Sequence, residues 1–229
     1  MVAENSSEGI MARLGIILFF FGALLFGPAG SLNWLEAWLF LIIYSAWAFP
    51  VVIWLRRNNP ELFKERLSFF KKPAKGWDKI IVLAGTISFI ALFLIAGFDA
   101  VRYQWSETPV FLQILGFLGL FPSLGLIFLV MRENTYLSRV VEVQKEKGHK
   151  VITTGPYKYV RHPTYVAVIL LYFSIPLALG SLIALIPSSL LAIIIIIRTH
   201  LEDRTLHKEL LGYEEYGKKV KYKLLPGVW

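Results

Sequence analysis

Long apolar stretches with almost no charge, separated by short basic blocks, constrain this chain more than any other feature. A helix that crosses a bilayer needs roughly 20 mostly apolar residues, because the hydrocarbon core is about 30 Å thick and a helix rises about 1.5 Å per residue. Segments 11–30, 34–55, 80–98 and 110–131 each approach or meet that length. The run 165–197 is too long for one comfortable span, and Pro176, Gly180-Ser181 and Pro187 interrupt it. Two short helices with a turn near Gly180 fit it better than one steeply tilted helix. The expected fold is an all-α polytopic membrane protein of about six transmembrane segments, the last two a short helical hairpin.

Composition agrees. A hydrophobic fraction of 56% and an aromatic fraction of 15% are too high for an ordinary soluble domain. The absence of cysteine excludes disulfides, thiolate metal sites and cysteine nucleophiles. No linker, repeat or low-complexity tract divides the chain. A functional division still follows from the pattern: residues 1–132 as a four-helix region with a basic inner loop, and 133–229 as a core with the hairpin and a C-terminal helix.

The net charge of +8 could indicate nucleic acid, but the position of the charges argues otherwise. With the N-terminus on the inner side, Arg102 is the only one of the 24 basic residues that falls in an outer loop. Lysine and arginine gather in cytoplasmic loops, so this partition orients a multi-pass protein with both termini cytoplasmic. Trp34, Trp38, Trp54, Trp77 and Trp105 lie near span ends, where amphipathic rings anchor. The first apolar segment is longer than a signal-peptide core, and Glu4 and Glu8 spoil a basic leader, so it is expected to be retained. The Asn5-Ser6-Ser7 sequon would lie on the inner side and go unused.

Three inner segments remain. The loop 56–79 is basic with Phe63, Leu67, Phe69 and Phe70 interleaved, as in a segment resting on anionic lipid, with a contribution to substrate entry as the other reading. The second segment ends in Gly155-Pro156-Tyr157-Lys158-Tyr159-Val160-Arg161-His162-Pro163-Thr164-Tyr165. Pro163 biases His162 away from helix and can itself begin one, which places His162 at a helix N-terminus that favours an anionic group. The third, from Arg198, reads as a helix with Leu201, Leu206, Leu210 and Leu211 on one face and Gly212 as a stop or kink.

Each polar residue also has a plainer reading. Arg198 and Glu202 are four apart and can form an ordinary ion pair. His162 can simply fill a helix start, and His149, His200 and His207 read as solvated. No histidine spacing suits a metal, and Gly-rich phosphate loops are absent.

Taken together, these elements resemble the isoprenylcysteine carboxyl methyltransferase family of membrane enzymes. The shared features are G-x-Y-x-x-x-R-H-P-x-Y at 155–165, a helical hairpin, R-x-x-x-E plus an acid at Arg198, Glu202 and Asp203, a Gly-x-x-x-Tyr tail at 212–216, and Pro226. The resemblance covers about 133–229. It implies S-adenosyl-L-methionine as cofactor, held by Gln144, His149, Lys150, Val151, Ile152, Tyr157, His162, Pro163, Thr164, Tyr165 and Glu202. It places Arg198 against the substrate, with Arg198 and Glu202 as the catalytic pair, no metal, and a prenylated or other lipid-linked acceptor. The second acid, often Glu in the family, is Asp203 here. Two other enzyme classes share part of the pattern. A phospholipid N-methyltransferase would accept methyl on an amine, and an NADPH-dependent sterol reductase is usually much longer.

Overall fold

The computed structural model describes residues 7–67, 75–138, 140–144, 146 and 148–229. The Asn5-Ser6 part of the sequon and the Phe69-Phe70 part of the basic loop lie outside these residues. The described chain is helical, with no strand. Its helices are α1 (Ser7–Ala29), α2 (Leu35–Asn58), α3 (Pro60–Leu67), α4 (Gly76–Gly97), α5 (Val110–Glu133), α6 (Pro163–Ala178), α7 (Leu185–Glu209) and α8 (Tyr213–Lys219). A π-helical turn, Phe98–Tyr103, continues α4.

Four of these are long and apolar enough to cross a membrane: α2, α4 with its π turn, α5 and α7. Shorter apolar stretches occupy Leu14–Ala29 of α1 and Pro163–Ala178 of α6. Many large apolar side chains on these helices face outward, among them Phe19, Ile42, Leu83, Phe111 and Ile193. Such a surface is costly in water and suits hydrocarbon, which points to an integral membrane protein.

Hydrocarbon outside offers no hydrophobic reward for packing helices together, so close contact has to supply it. The core is formed by Leu25, Phe40, Phe93, Leu120, Ile175 and Leu191, each from a different helix. Phe21, Phe89 and Phe93 pack edge to face, at ring separations of 5.0 to 6.1 Å. Between α5 and α6 the backbones touch at Gly116, where an added Cβ would meet the main chain of Leu177 and Ala178.

The basic inner loop contains a short helix that its charge pattern did not reveal. Asn59 Oδ1 caps it by accepting the Leu62 N–H at 3.1 Å, and Pro60 occupies its first position. Leu62 and Phe63 are buried against Leu14, Val51 and Leu55, so the loop is seated on α1 and α2.

At the other end of the molecule, α6 and α7 are joined over 179–184, and this connection is fixed by one acid. Asp99, fully buried in the π turn, accepts the Ser106 N–H and hydroxyl, both at 2.7 Å. It also accepts the Ser181 hydroxyl at 2.5 Å and the Ile183 N–H at 3.2 Å. One carboxylate thus ties the α4–α5 connection to the α6–α7 connection. Removing a buried acceptor that serves several donors strands them, at about 1–3 kcal/mol for each unsatisfied group. Asp99→Ala should therefore lower the thermal midpoint of the detergent-solubilised protein by several degrees, while Asp99→Asn should lower it less. An unchanged midpoint for the alanine variant would refute this role.

Candidate active site

Two distant segments meet where α6 begins and α7 passes by. Arg161 and His162 precede α6, and Glu202 and Asp203 lie two-thirds of the way along α7. Arg161 is buried and meets Asp203 through one edge of its guanidinium, Nε to Oδ1 at 2.8 Å and Nη2 to Oδ2 at 3.2 Å. Its remaining terminal nitrogen donates to the Val220 and Lys221 carbonyls, at 2.8 and 2.9 Å. Backbone bonds run alongside, from Arg161 N–H to Tyr222 O and from His162 N–H to Lys223 O. The tail after α8 is thereby strapped across the start of α6.

His162 is the N-cap residue of α6, but its side chain makes no capping bond. The buried ring reaches sideways instead. Nε2 lies 3.2 Å from Asp203 Oδ1, and Nδ1 lies 3.7 Å from Glu202 Oε1. Tyr165, nearly parallel to the His162 ring at 5.8 Å, donates its hydroxyl to Glu202 Oε2 at 2.5 Å. From α8, Tyr213 donates to Asp203 Oδ1 at 3.0 Å. Burial and then the Asp203 carboxylate push the Tyr213 phenol far above its usual range, so it stays a donor.

Gly155 explains part of the approach to this site. Its φ of +56° is left-handed, and a Cβ there would come within 2.6 Å of the Glu133 side chain. Glu133 at the end of α5 accepts the Thr154 hydroxyl at 2.6 Å, which docks the turn 155–158 on α5. Tyr157 in that turn is buried, its hydroxyl accepting from Asn134 Nδ2 at 2.7 Å.

A cavity of about 290 Å³ opens among these elements. Of the residues singled out from the sequence, His162, Thr164, Tyr165, Arg198 and Glu202 line it from α6 and α7. His149, Lys150, Val151, Ile152 and Tyr157 line it from the connecting segment. Two do not reach it. Pro163 is buried as the first residue of α6, and Gln144 stands behind the wall. Gln144 donates its N–H to His149 Nδ1 and its side-chain amide to Tyr136 O, both at 3.3 Å. Its buried Oε1 has no hydrogen-bond partner among the described residues.

Sequence reasoning missed three contributors. Tyr136 stacks on His149 with ring centres 4.4 Å apart and lines the cavity, within a loop that carries no motif. Arg161 was noted only as part of a pattern, with nothing local to show its pairing with Asp203. Asp78, in the first turn of α4, pairs with Arg198 Nη2 at 3.1 Å. From the sequence Arg198 had only Glu202 as a visible partner, because Asp78 is 120 residues away.

The arrangement combines a fixed cation, a carboxylate, a histidine between two acids and apolar walls, in a cavity where helices meet a polar surface. It suits a ligand with both cationic and anionic groups, and it can fix a second anion at Arg198. Among the described residues no cluster of His, Asp or Glu could hold a metal ion.

Two predictions follow from this geometry. Arg161→Ala would leave buried Asp203 without its bidentate partner, with His162 at 3.2 Å and Lys223 Nζ at 3.6 Å still beside it as cationic groups, and losing one partner of a buried pair costs up to about 3–5 kcal/mol. The variant should show a large drop in thermal midpoint. The second concerns pH. Burial disfavours charged His162, but hydrogen bonds to Asp203 and Glu202 outweigh it, so the ring titrates above its ordinary 6.5. Its contribution is fully present below the unfolded value and is lost as pH rises through the raised folded value. The stability gap between wild type and His162→Asn should therefore narrow as pH is raised above about 6.5. A gap independent of pH would contradict the charged state.

Residues 115–208 match the sequence model of the isoprenylcysteine carboxyl methyltransferase (ICMT) family. The match supports that family for this chain and spans α6, the Arg198–Glu202 turn of α7 and most of α5. No curated protein matches the chain. The name of that family describes a carboxyl methyltransferase, and the matched residues include four that line the cavity: His162, Tyr165, Arg198 and Glu202.

Proposed function

We propose that the chain transfers a methyl group from S-adenosyl-L-methionine to the carboxylate of a lipid-linked acceptor, most simply a C-terminal isoprenylcysteine. One observation carries the reading: Arg198 and Glu202, one helical turn apart, open into the same cavity as His162 and Tyr165. A positive anchor and a negative partner then stand side by side where a cationic donor and an anionic acceptor would have to meet.

The residues suit the cofactor. Glu202 offers oxygens to its amino or ribose groups, and the start of α6, where His162 stands, can receive its carboxylate. Gln144, whose buried Oε1 has no hydrogen-bond partner among the described residues, stands behind the wall as a further contact. The cofactor, when bound, supplies an electrophilic methyl on a sulfonium. What the chain contributes is placement. Arg198 holds the acceptor carboxylate in line, and the walls exclude water. A carboxylate is already ionised at neutral pH, so no general base is required.

The charge partition supports an orientation with the site and both termini on the cytoplasmic side. Six helices would then cross or enter the bilayer, with α6 and α7 as a hairpin returning to the same face. The cofactor would enter from water and the lipid chain from the bilayer, beside the apolar walls of α6 and α7. An amine acceptor would need its proton removed and would gain nothing from an arginine, which favours the carboxylate.

Titration of the detergent-solubilised protein with S-adenosylhomocysteine and with NADPH separates the enzyme classes; binding of NADPH alone would refute methyl transfer. Glu202→Ala should weaken S-adenosylhomocysteine binding by about 10- to 100-fold, as expected for hydrogen bonds to a charged group. Arg198→Ala should retain that binding and lose transfer of labelled methyl to a prenylcysteine analogue. Transfer to phosphatidylethanolamine instead would assign the acceptor to the phospholipid class.

A further inference from the structure

One buried acid beside the cavity has no part in the scheme above. Asp78 is fully buried in the first turn of α4. Its Oδ1 lies 3.1 Å and its Oδ2 3.4 Å from Arg198 Nη2. Oδ2 also accepts the N–H of Val141 at 2.9 Å. Arg198 and Val141 both line the cavity, and Asp78 lies behind them.

We propose that Asp78 is the positioning residue of the acceptor site: it holds the Arg198 guanidinium in the orientation that receives the acceptor's carboxylate. The proposal rests on the reading of Arg198 as the acceptor's anchor. A competing idea is that Asp78 occupies the acceptor's place and must leave when it arrives. The geometry argues against that. Departure would strand the Val141 N–H and leave a carboxylate buried without its cation. A guanidinium presents five donors in a rigid fork, and Asp78 engages that fork at Nη2. It therefore acts from behind, as a second carboxylate shares the fork from the cavity side.

A long arginine side chain at the end of an apolar helix also needs a fixed counter-charge to be held in one rotamer out of water. The helices that carry Asp78 and Arg198 also meet at the head of α4, where Lys75 Nζ pairs with Glu209 Oε1 of α7 at 2.5 Å in a partly exposed ion pair. Through Asp78 itself, Arg198 is supported from a second element, as a site with little tolerance for displacement requires. Through Val141, the same carboxylate also fixes part of the loop that walls the cavity.

Asn at position 78 keeps the shape and an acceptor for Val141, while it removes the charge and turns the other oxygen into a donor that cannot hold the guanidinium, so Asp78→Asn is the decisive variant. The probes are S-adenosylhomocysteine, a prenylcysteine with a free carboxylate, and the same compound as its carboxamide. Wild type should prefer the acid over the amide. In Asp78→Asn that preference should fall by about tenfold or more, with KM for the acid rising more than kcat falls. Affinity for S-adenosylhomocysteine should stay within about twofold, since the donor does not use Arg198. Asp78→Glu, which keeps the charge but moves it, should give a preference between the two.

An undiminished preference in the Asn variant would overturn the proposal. So would a parallel loss of affinity for all three probes, which would make Asp78 a support of the loop alone. If the Asn variant does not fold, Asp78→Glu decides: an unchanged preference in a protein that still binds S-adenosylhomocysteine overturns the proposal. A wild type that binds acid and amide alike would instead refute the Arg198 anchor itself.

Discussion

The Arg161–Asp203 pair is the interaction on which the rest of the site depends. It is buried and bidentate, and each partner is satisfied by further groups: two carbonyls of the tail on one side, His162 and Tyr213 on the other. A buried ion pair is often a weak source of stability, because desolvation offsets the attraction. Its use here is geometric. It fixes four separate pieces of chain, the start of α6, the middle of α7, the start of α8 and the C-terminal strap, to one point. Glu202, next to Asp203 in sequence, then points to the opposite side of that anchor, toward Tyr165 and the cavity. One acid is committed to the fold, and its neighbour lines the cavity.

The membrane explains why such a device is needed. In a soluble domain, burial of apolar area would hold α6 and α7 against the other helices. In hydrocarbon that force is absent between helices, and contact depends on small residues and polar fixtures. The fold has one fixture at each end of the α6–α7 pair. Asp99 ties the connection between the two helices, and the Arg161–Asp203 pair ties their other ends. Close to the Asp99 fixture, Gly116 lets α5 approach the end of α6 to backbone contact. Polar groups at both ends and small residues at the helix contacts divide the work that a hydrophobic core does in water.

The elements written along the chain were legible in the sequence, and those written across it were not. Apolar runs locate helices because span length and hydropathy are local quantities, so α2, α4 and α5 lie close to where the pattern puts them. The cluster His162, Tyr165, Arg198 and Glu202 was legible through a motif, which carries long-range information that residue chemistry alone lacks. Asp78 was not. An acid in the first turn of a helix has an ordinary local explanation in the helix dipole, and nothing nearby reveals a partner 120 residues away. The helix α3 was hidden for a related reason. Its basic surface reads as interfacial loop, and the burial of Leu62 and Phe63 depends on α1 and α2.

These polar connections also bear on how the cavity walls are held. The walls contributed by α6 and α7 are fixed by buried ion pairs and by the strap, and the facing wall comes from the segment between α5 and the turn 155–158. Among its described residues, Val141 bonds to Asp78, Tyr136 to Gly148 and Gln144 to Tyr136, while Val143, Val151 and Ile152 pack against Tyr157, Leu210, Tyr213 and Tyr216. Val141 links the two walls, since its N–H is held by the acid that also holds Arg198. Displacement of the loop and displacement of Arg198 are thereby coupled through a single carboxylate.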